Sequence, residues 1–260
     1  MKIGVLDAVL LDSWDGLLAL AGELGFAGVE LGVRADRAAG HPLWDEAYRR
    51  RLRSEAAAAS VQIPSICLHA LGPLFSAAGE AGRAAGVRTL VEIVAFCHEL
   101  GGSVVLCPLG APAEQPYDEA FLGWVAGLKA AAPSAAQAGV RLAAESVGRT
   151  HPQSAERFER ILAAVDSTAL GVYYDVGNAV YQGFDPGADL RRLGKQVVQI
   201  HMKEIGVALM DSGGTVDFAD VFAAIRETAY DGYLILETGR GADARASALA
   251  NRLFLEERIG

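Results

Sequence analysis

The sequence predicts an α/β protein built as a single (β/α)8 TIM barrel over residues 1–260, and three observations carry that expectation. Short apolar runs alternate with longer Ala-, Leu-, Glu- and Arg-rich stretches eight times along the chain. The runs carry Val, Ile, Leu and Tyr on both alternations, which suits strands buried on both faces. Glycines recur where a helix-like stretch hands over to a run, as at Gly25, Gly101, Gly139 and Gly232, and helix C-termini favour glycine there. Parallel strands need a crossover between them, so such alternation means parallel pairing. Eight units in 260 residues match a closed barrel of about 250 residues. An open doubly wound sheet would put a Gly-rich turn after its first strand. This chain has Val5-Leu-Asp-Ala-Val9 instead.

In chain order, the expected strands are 2–6, 27–31, 62–68, 102–107, 140–145, 170–174, 196–201 and 233–237. Helix-like segments lie between them with apolar positions three and four apart. Segment 84–100 is representative, with Val87, Leu90, Val91, Val94 and Ala95 on one face. Asp185-Pro-Gly187 and Thr215-Val-Asp-Phe218 supply polar or proline helix starts. The alanine runs at 56–59 and 130–132 read as good helix formers.

Composition narrows the function classes. Hydrophobic residues make up 52% of the chain, enough for a large core and too many for intrinsic disorder. With 23 Lys+Arg against 32 Asp+Glu the net charge is −9, which argues against a nucleic-acid partner. Three cysteines, Cys67, Cys97 and Cys107, form no CxxC pair. That excludes a disulfide framework or thiolate zinc site and fits a cytoplasmic location. Asp7 interrupts the first apolar run, as an export signal would not. Charges such as Glu23, Glu30 and Glu92 break every stretch before the roughly 20 apolar residues of a membrane span.

In such a barrel the active site lies at the C-terminal ends of the strands, so the polar residues that end apolar strands carry the chemistry. Glu30, His69, Glu145, Asp175, His201 and Glu237 end six of the eight expected strands. The last four follow one another at spacings of 30, 26 and 36 residues, one per unit. Three carboxylates gathered at one point repel one another, and burial adds to the cost. One divalent cation removes both penalties. Three oxygen donors and an imidazole, without thiolate, suit Mn²⁺ or Mg²⁺, with Co²⁺ and Zn²⁺ as alternatives.

The segments LAAES (142–146), YYDVGNA (173–179), IHMKE (200–204) and LILET (234–238) resemble the metal-site strands of the xylose-isomerase-like barrel superfamily. The likeness is to its sugar-phosphate isomerase/epimerase branch, which includes ketose and pentulose-phosphate 3-epimerases. It extends upstream through LGFAGVEL (24–31) and IPSICLHA (63–70). The resemblance implies that Glu145, Asp175, His201 and Glu237 bind one divalent metal. It further implies that Glu145 and Glu237 form the acid/base pair on opposite faces of the substrate. One carboxylate would remove the proton beside a ketone while the other returns one on the opposite face. The metal would meanwhile stabilise the enediolate. The expected function is therefore a metal-dependent isomerase or epimerase of a ketose or ketose phosphate. An inosose dehydratase-like lyase is the alternative, since it also begins by enolising a ketone. An abasic-site-endonuclease-like phosphodiesterase would want more than the five His present, and a non-catalytic barrel would not need the Glu145–Glu237 pair.

Several flanking residues are candidate substrate contacts. Asn178 stands where many free-ketose epimerases of the superfamily have His, and the DVGN form resembles the phosphate-sugar members. With Lys203 and Arg240 it predicts a phosphorylated substrate. Lys203 could equally pair with a site carboxylate. His69 is placed to bond a substrate hydroxyl, and Glu30 either to bind hydroxyls or to orient His69. Trp14 and Phe75 are expected in loops that wall the pocket. Arg149 and His151 are expected in a solvated loop, His41 and His98 in structural positions, and Trp124 in the core. The apolar loop Val207 to Met210 offers a second copy of the chain a place to dimerise.

Overall fold

The computed structural model describes residues 1–11 and 13–259. Its first half runs β1 (Lys2–Leu6), α1 (Asp7–Leu10), α2 (Leu17–Glu23), β2 (Gly28–Arg34), α3 (Glu46–Ala59), β3 (Ser65–His69), α4 (Leu71–Ser76), α5 (Gly79–Glu99) and β4 (Val104–Pro108). The second half runs α6 (Tyr117–Ala138), β5 (Arg141–Glu145), α7 (Ala155–Val165), β6 (Leu170–Asp175), α8 (Val176–Tyr181), α9 (Pro186–Leu193), β7 (Val197–Met202), α10 (Phe218–Glu227), β8 (Tyr233–Leu236) and α11 (Ala244–Ile259). Every strand pairs in parallel with its neighbours in sequence, and β8 pairs with β1 to close the barrel. The eight expected strands are all present. Asp185 and Asp217 cap α9 and α10 by accepting from the N–H groups of Ala188 and Asp220, as the sequence signals indicated.

Two local features position the functional end of the barrel. Side chains alternate faces along a strand, so Gln199 and His201 on β7 point the same way, as do Tyr173 and Asp175 on β6. The pairing of β6 with β7 shifts between Val172 and Tyr173, after which Tyr173 stands beside Gln199 and Asp175 beside His201. Such an irregularity re-aims side chains next to a site. The result is two stacked layers inside the barrel, with Glu30, Ser65, Tyr173 and Gln199 joined by hydrogen bonds below and Glu145, Asp175 and His201 above.

The wall outside β3 and β4 depends on close approach between helices. Phe75, expected in a loop walling the pocket, belongs instead to α4 and is buried in the core. Its ring sits where a Cβ on Gly127 of α6 would approach within 2.5 Å. Trp124, one turn earlier on α6, is fully buried and donates its indole N–H to the Gly110 carbonyl. Adding a methyl group to a packed interface of this kind costs about 1–3 kcal/mol. Gly127→Ala is therefore expected to lower stability by that amount in urea unfolding, and an unchanged midpoint would show that α4 and α6 can separate freely.

Candidate active site

Four side chains converge at the C-terminal ends of β5 to β8. Each of Glu145, Asp175, His201 and Glu237 offers a donor atom, and all four atoms lie within 4.8 Å of one another. His201 Nδ1 is 3.1 Å from Glu145 Oε1, 3.3 Å from Glu237 Oε2 and 3.8 Å from Asp175 Oδ2. Asp175 divides its two oxygens between fold and site. Oδ1 caps α8 by accepting from the Asn178 N–H at 2.8 Å. Oδ2 is buried and faces the Lys203 ammonium at 2.6 Å as an ion pair. Three buried or half-buried carboxylates and an imidazole that bring one donor atom each within 4.8 Å of one another make the oxygen-rich set that a divalent cation takes.

Burial and crowding shape the charges. Burial pushes the Glu145 carboxyl up to about 7, with His201 opposing the rise and Glu237 adding to it. Burial likewise pushes Asp175 up to about 6 against the pull of Lys203. For His201 burial favours the neutral ring, but the charges of Glu237 and Glu30 outweigh it and hold the ring well above the usual histidine range. For Glu237 burial is outweighed by His201 and Lys203, which hold it well below the usual carboxylate range. A divalent cation among the three carboxylates would take over the role of these positive charges.

The structure redistributes the flanking candidates. Glu30 is a correction. It stands in the middle of β2, fully buried, and neither reaches a sugar hydroxyl nor orients His69. Its Oε1 accepts from His201 Nε2 at 2.8 Å, and its Oε2 accepts from Ser65 Oγ at 2.6 Å and Tyr173 OH at 2.9 Å. With Nε2 protonated against Glu30, a bound cation would replace the ring's second proton at Nδ1, which faces the other three donors. Carboxylates behind a ligating His are worth about 10–100-fold in metal affinity. Glu30→Gln is therefore expected to weaken Mn²⁺ binding by that factor in titration calorimetry, and an unaltered Kd would remove Glu30 from the site's support.

A cavity of about 410 Å³ opens above the four donors, lined among others by Arg34, His69, Glu145, Asn178, Lys203 and Glu237. His69 is half-buried on the β3 side. Asn178 donates Nδ2–H to the Ser146 carbonyl, bracing the loops after β5 and β6. Lys203 Nζ sits 2.6 Å from both Asp175 and Glu237, so the salt-bridge reading describes it. Arg240 is a second correction: it does not line this cavity, and its Nε donates to the Ala8 carbonyl at 2.7 Å. His151 is also displaced from expectation, being buried with Nε2 2.7 Å from the Gln115 carbonyl. Arg149 is exposed, its guanidinium 3.7 Å from the Tyr181 ring centroid. Trp14 does stand at this end of the barrel, half-buried, with its indole N–H donated to Asp7 at 2.5 Å.

Asp7 is the residue that sequence reasoning passed over. It follows β1 directly and is buried, accepting from Trp14 Nε1 and the N–H groups of Ala8 and Gly32. Burial raises its carboxyl despite these donors. The signal was available, since Asp7 ends an apolar strand as the other site residues do.

The family model of the xylose isomerase-like TIM barrel matches residues 18–258. The chain belongs to this family. Within it, L-ribulose-5-phosphate 3-epimerase of Salmonella paratyphi C (strain RKS4594) is 27% identical over 234 residues, covering 87% of this chain and 82% of that enzyme. Inosose dehydratase of Geobacillus kaustophilus (strain HTA426) is 27% identical over 168 residues, 55% of this chain. That match spans only about half of the dehydratase, 54% of its length. Among solved structures an L-ribulose 3-epimerase superposes with a TM-score of 0.86 at 24% identity, over 99% of this chain and 94% of that one. No helix among the described residues is long and apolar enough to cross a membrane.

Proposed function

We propose that this xylose isomerase-like barrel is a divalent-metal-dependent sugar epimerase that inverts a carbon next to a ketone. The observation that carries the reading is the convergence of Glu145, Asp175, His201 and Glu237 within 4.8 Å, beneath a cavity of small-molecule size. The epimerase relative that matches most of the chain supports it. A cation held by these four residues, Mn²⁺ or Mg²⁺ by its oxygen-rich donor set, would neutralise negative charge developing on the substrate's oxygens. The chain's own residues do the rest. Glu145 on β5 and Glu237 after β8 flank His201, with β6 and β7 between their strands. They therefore approach the cavity from different sides. One removes the proton from the carbon beside the carbonyl and the other delivers a proton to the opposite face. His201, held by Glu30, keeps its Nδ1 turned toward the carboxylates.

The match to inosose dehydratase supports a second reading, a lyase that enolises a ketone and then expels a hydroxyl. The two diverge in product. Incubating the Mn²⁺-loaded protein with ketopentoses, ketohexoses, their phosphates and inososes, and resolving products by NMR, is expected to yield an epimer of the same mass. A product lighter by one water would select the lyase. A full panel without either product, at one bound metal per chain, would remove the enzymatic reading.

A further inference from the structure

Lys203 reaches the four donors along a path that one glycine keeps open. It follows Met202, the last residue of β7, and its aliphatic stem crosses Gly177 in the first turn of α8. A Cβ built on Gly177 would stand 2.5 Å from Lys203 Cγ and 3.0 Å from Cε, closer than carbon atoms pack. The ammonium at the end of this stem lies 2.6 Å from Asp175 Oδ2 and 2.6 Å from Glu237 Oε2. These are the same two oxygens that face His201 Nδ1 at 3.8 and 3.3 Å.

Asp175 commits its other oxygen, Oδ1, to the cap of α8. A divalent ion accepted by the four donors therefore draws on oxygens that Lys203 already holds, and two positive charges sharing partners at such close range repel. Lys203 has somewhere to go. A second cavity of about 570 Å³ adjoins the one above the four donors, and the two share Asn178, Lys203 and Glu237. The Lys203 side chain is 19% exposed where Asp175 is 1% exposed, and a lysine stem is flexible. Glu204, next in sequence, offers the ammonium no competing pair, because it accepts from the N–H groups of Ile205, Thr215 and Val216.

We propose that Lys203 competes with the divalent cation for Asp175 and Glu237, and that cation binding turns its ammonium off these oxygens into the space the two cavities share. This rests on the four-residue cation site of the proposed epimerase. A lysine placed this way holds two carboxylates together before the ion arrives and lowers the affinity with which the ion is then held. Lys203→Met removes the charge and keeps an apolar stem over Gly177. Gly177→Ala leaves the charge in the chain but moves the stem that delivers it. Gly177 is helical and has no positive φ, so alanine suits its backbone, and this variant guards against a folding defect in the first.

Mn²⁺ binding to the chelator-stripped proteins is measured by titration calorimetry. The lysine side chains are followed by NMR in protein labelled with ¹³Cε-lysine while diamagnetic Mg²⁺ is added. The chain has four lysines, and Lys2, Lys129 and Lys195 line neither cavity. The Lys203 resonance is assigned by its loss in Lys203→Met or its shift in Gly177→Ala. With one close like charge removed, Lys203→Met is expected to bind Mn²⁺ at least about tenfold more tightly than the wild type. Gly177→Ala is expected to move the same way, and the wild-type Lys203 resonance to shift to the position of solvated lysines as Mg²⁺ saturates. Equal or weaker binding by both variants, at one Mn²⁺ per wild-type chain, would overturn the competition and leave the cation site standing. A Lys203 resonance unmoved at saturation would do the same. Failure of all three proteins to bind Mn²⁺ would overturn the cation site itself, and the competition with it.

Discussion

Glu237→Gln is expected to abolish exchange of the substrate's carbon-bound proton with solvent in the direction where Glu237 is the base. In that same direction Glu145→Gln should still exchange slowly, with retention and without an inverted product. Gln keeps the size and one oxygen donor of Glu but cannot carry the proton. Losing positioned acid–base help typically costs about 10²–10⁴-fold. The asymmetry follows from placement. Glu145 is nearly buried, its side chain 5% exposed, whereas Glu237 is 25% exposed and lines both cavities. On the epimerase reading each would reach the reacting carbon from its own side. If both variants epimerise at near wild-type rates with metal bound, the two-carboxylate division is wrong and His69 becomes the next base to test.

The second large effect concerns the cation. Asp175→Asn should cost most of the metal affinity while the fold persists, because the cap and the ligand use different oxygens of Asp175. Asn caps a helix as well as Asp, so the bond from the Asn178 N–H survives, while the atom in the place of Oδ2 carries no charge for a cation. Metal binding to the wild type should also depend on pH in a defined direction. Binding requires Glu145 and Asp175 ionised and His201 stripped of its Nδ1 proton; burial holds the two carboxyls up at about 7 and about 6, and the neighbouring carboxylates hold the imidazole well above its usual range. As pH falls through that window protons compete with the cation, and affinity drops about tenfold per pH unit for each proton displaced. At a hundredfold excess over Kd the cation adds about 2.7 kcal/mol, roughly 5–10 °C in Tm for a chain of this size. The gain from Mn²⁺ should be larger at pH 8 than at pH 5.5, and in Asp175→Asn it should nearly vanish at both. An equal gain in wild type and variant would place the cation elsewhere.

Much of this architecture was legible because a barrel writes its strands as separate apolar runs and puts its chemistry where they end. Glu145, Asp175, His201 and Glu237 follow that rule, and parallel pairing turns their spacing into proximity. Glu30 was misread for a local reason. The apolar residues Leu31 and Val33 continue the strand beyond it, so β2 runs to Arg34. Glu30 thus falls a layer below the cavity, where no sequence spacing announces its bond to His201, 171 residues away. Arg240 was misplaced because the backbone path of the loop after β8, rather than distance along the chain, turns it toward Ala8. Phe75 follows a Gly-Pro pair that reads as a turn, but Pro73 lies in the first turn of α4, where proline is tolerated. Tyr173 and Gln199 read as ordinary strand residues, and only the register shift between β6 and β7 shows that they prop the site from beneath.

The central claim is that the four strand-end residues hold a cation and enolise a ketosugar, and proton NMR in D₂O tests it most directly. With Mn²⁺ loaded, each inverted product molecule should carry one solvent deuterium at the inverted carbon, and chelation should stop both inversion and exchange. Inversion that leaves the original hydrogen in place, or that continues undiminished in the chelated protein, would contradict the account.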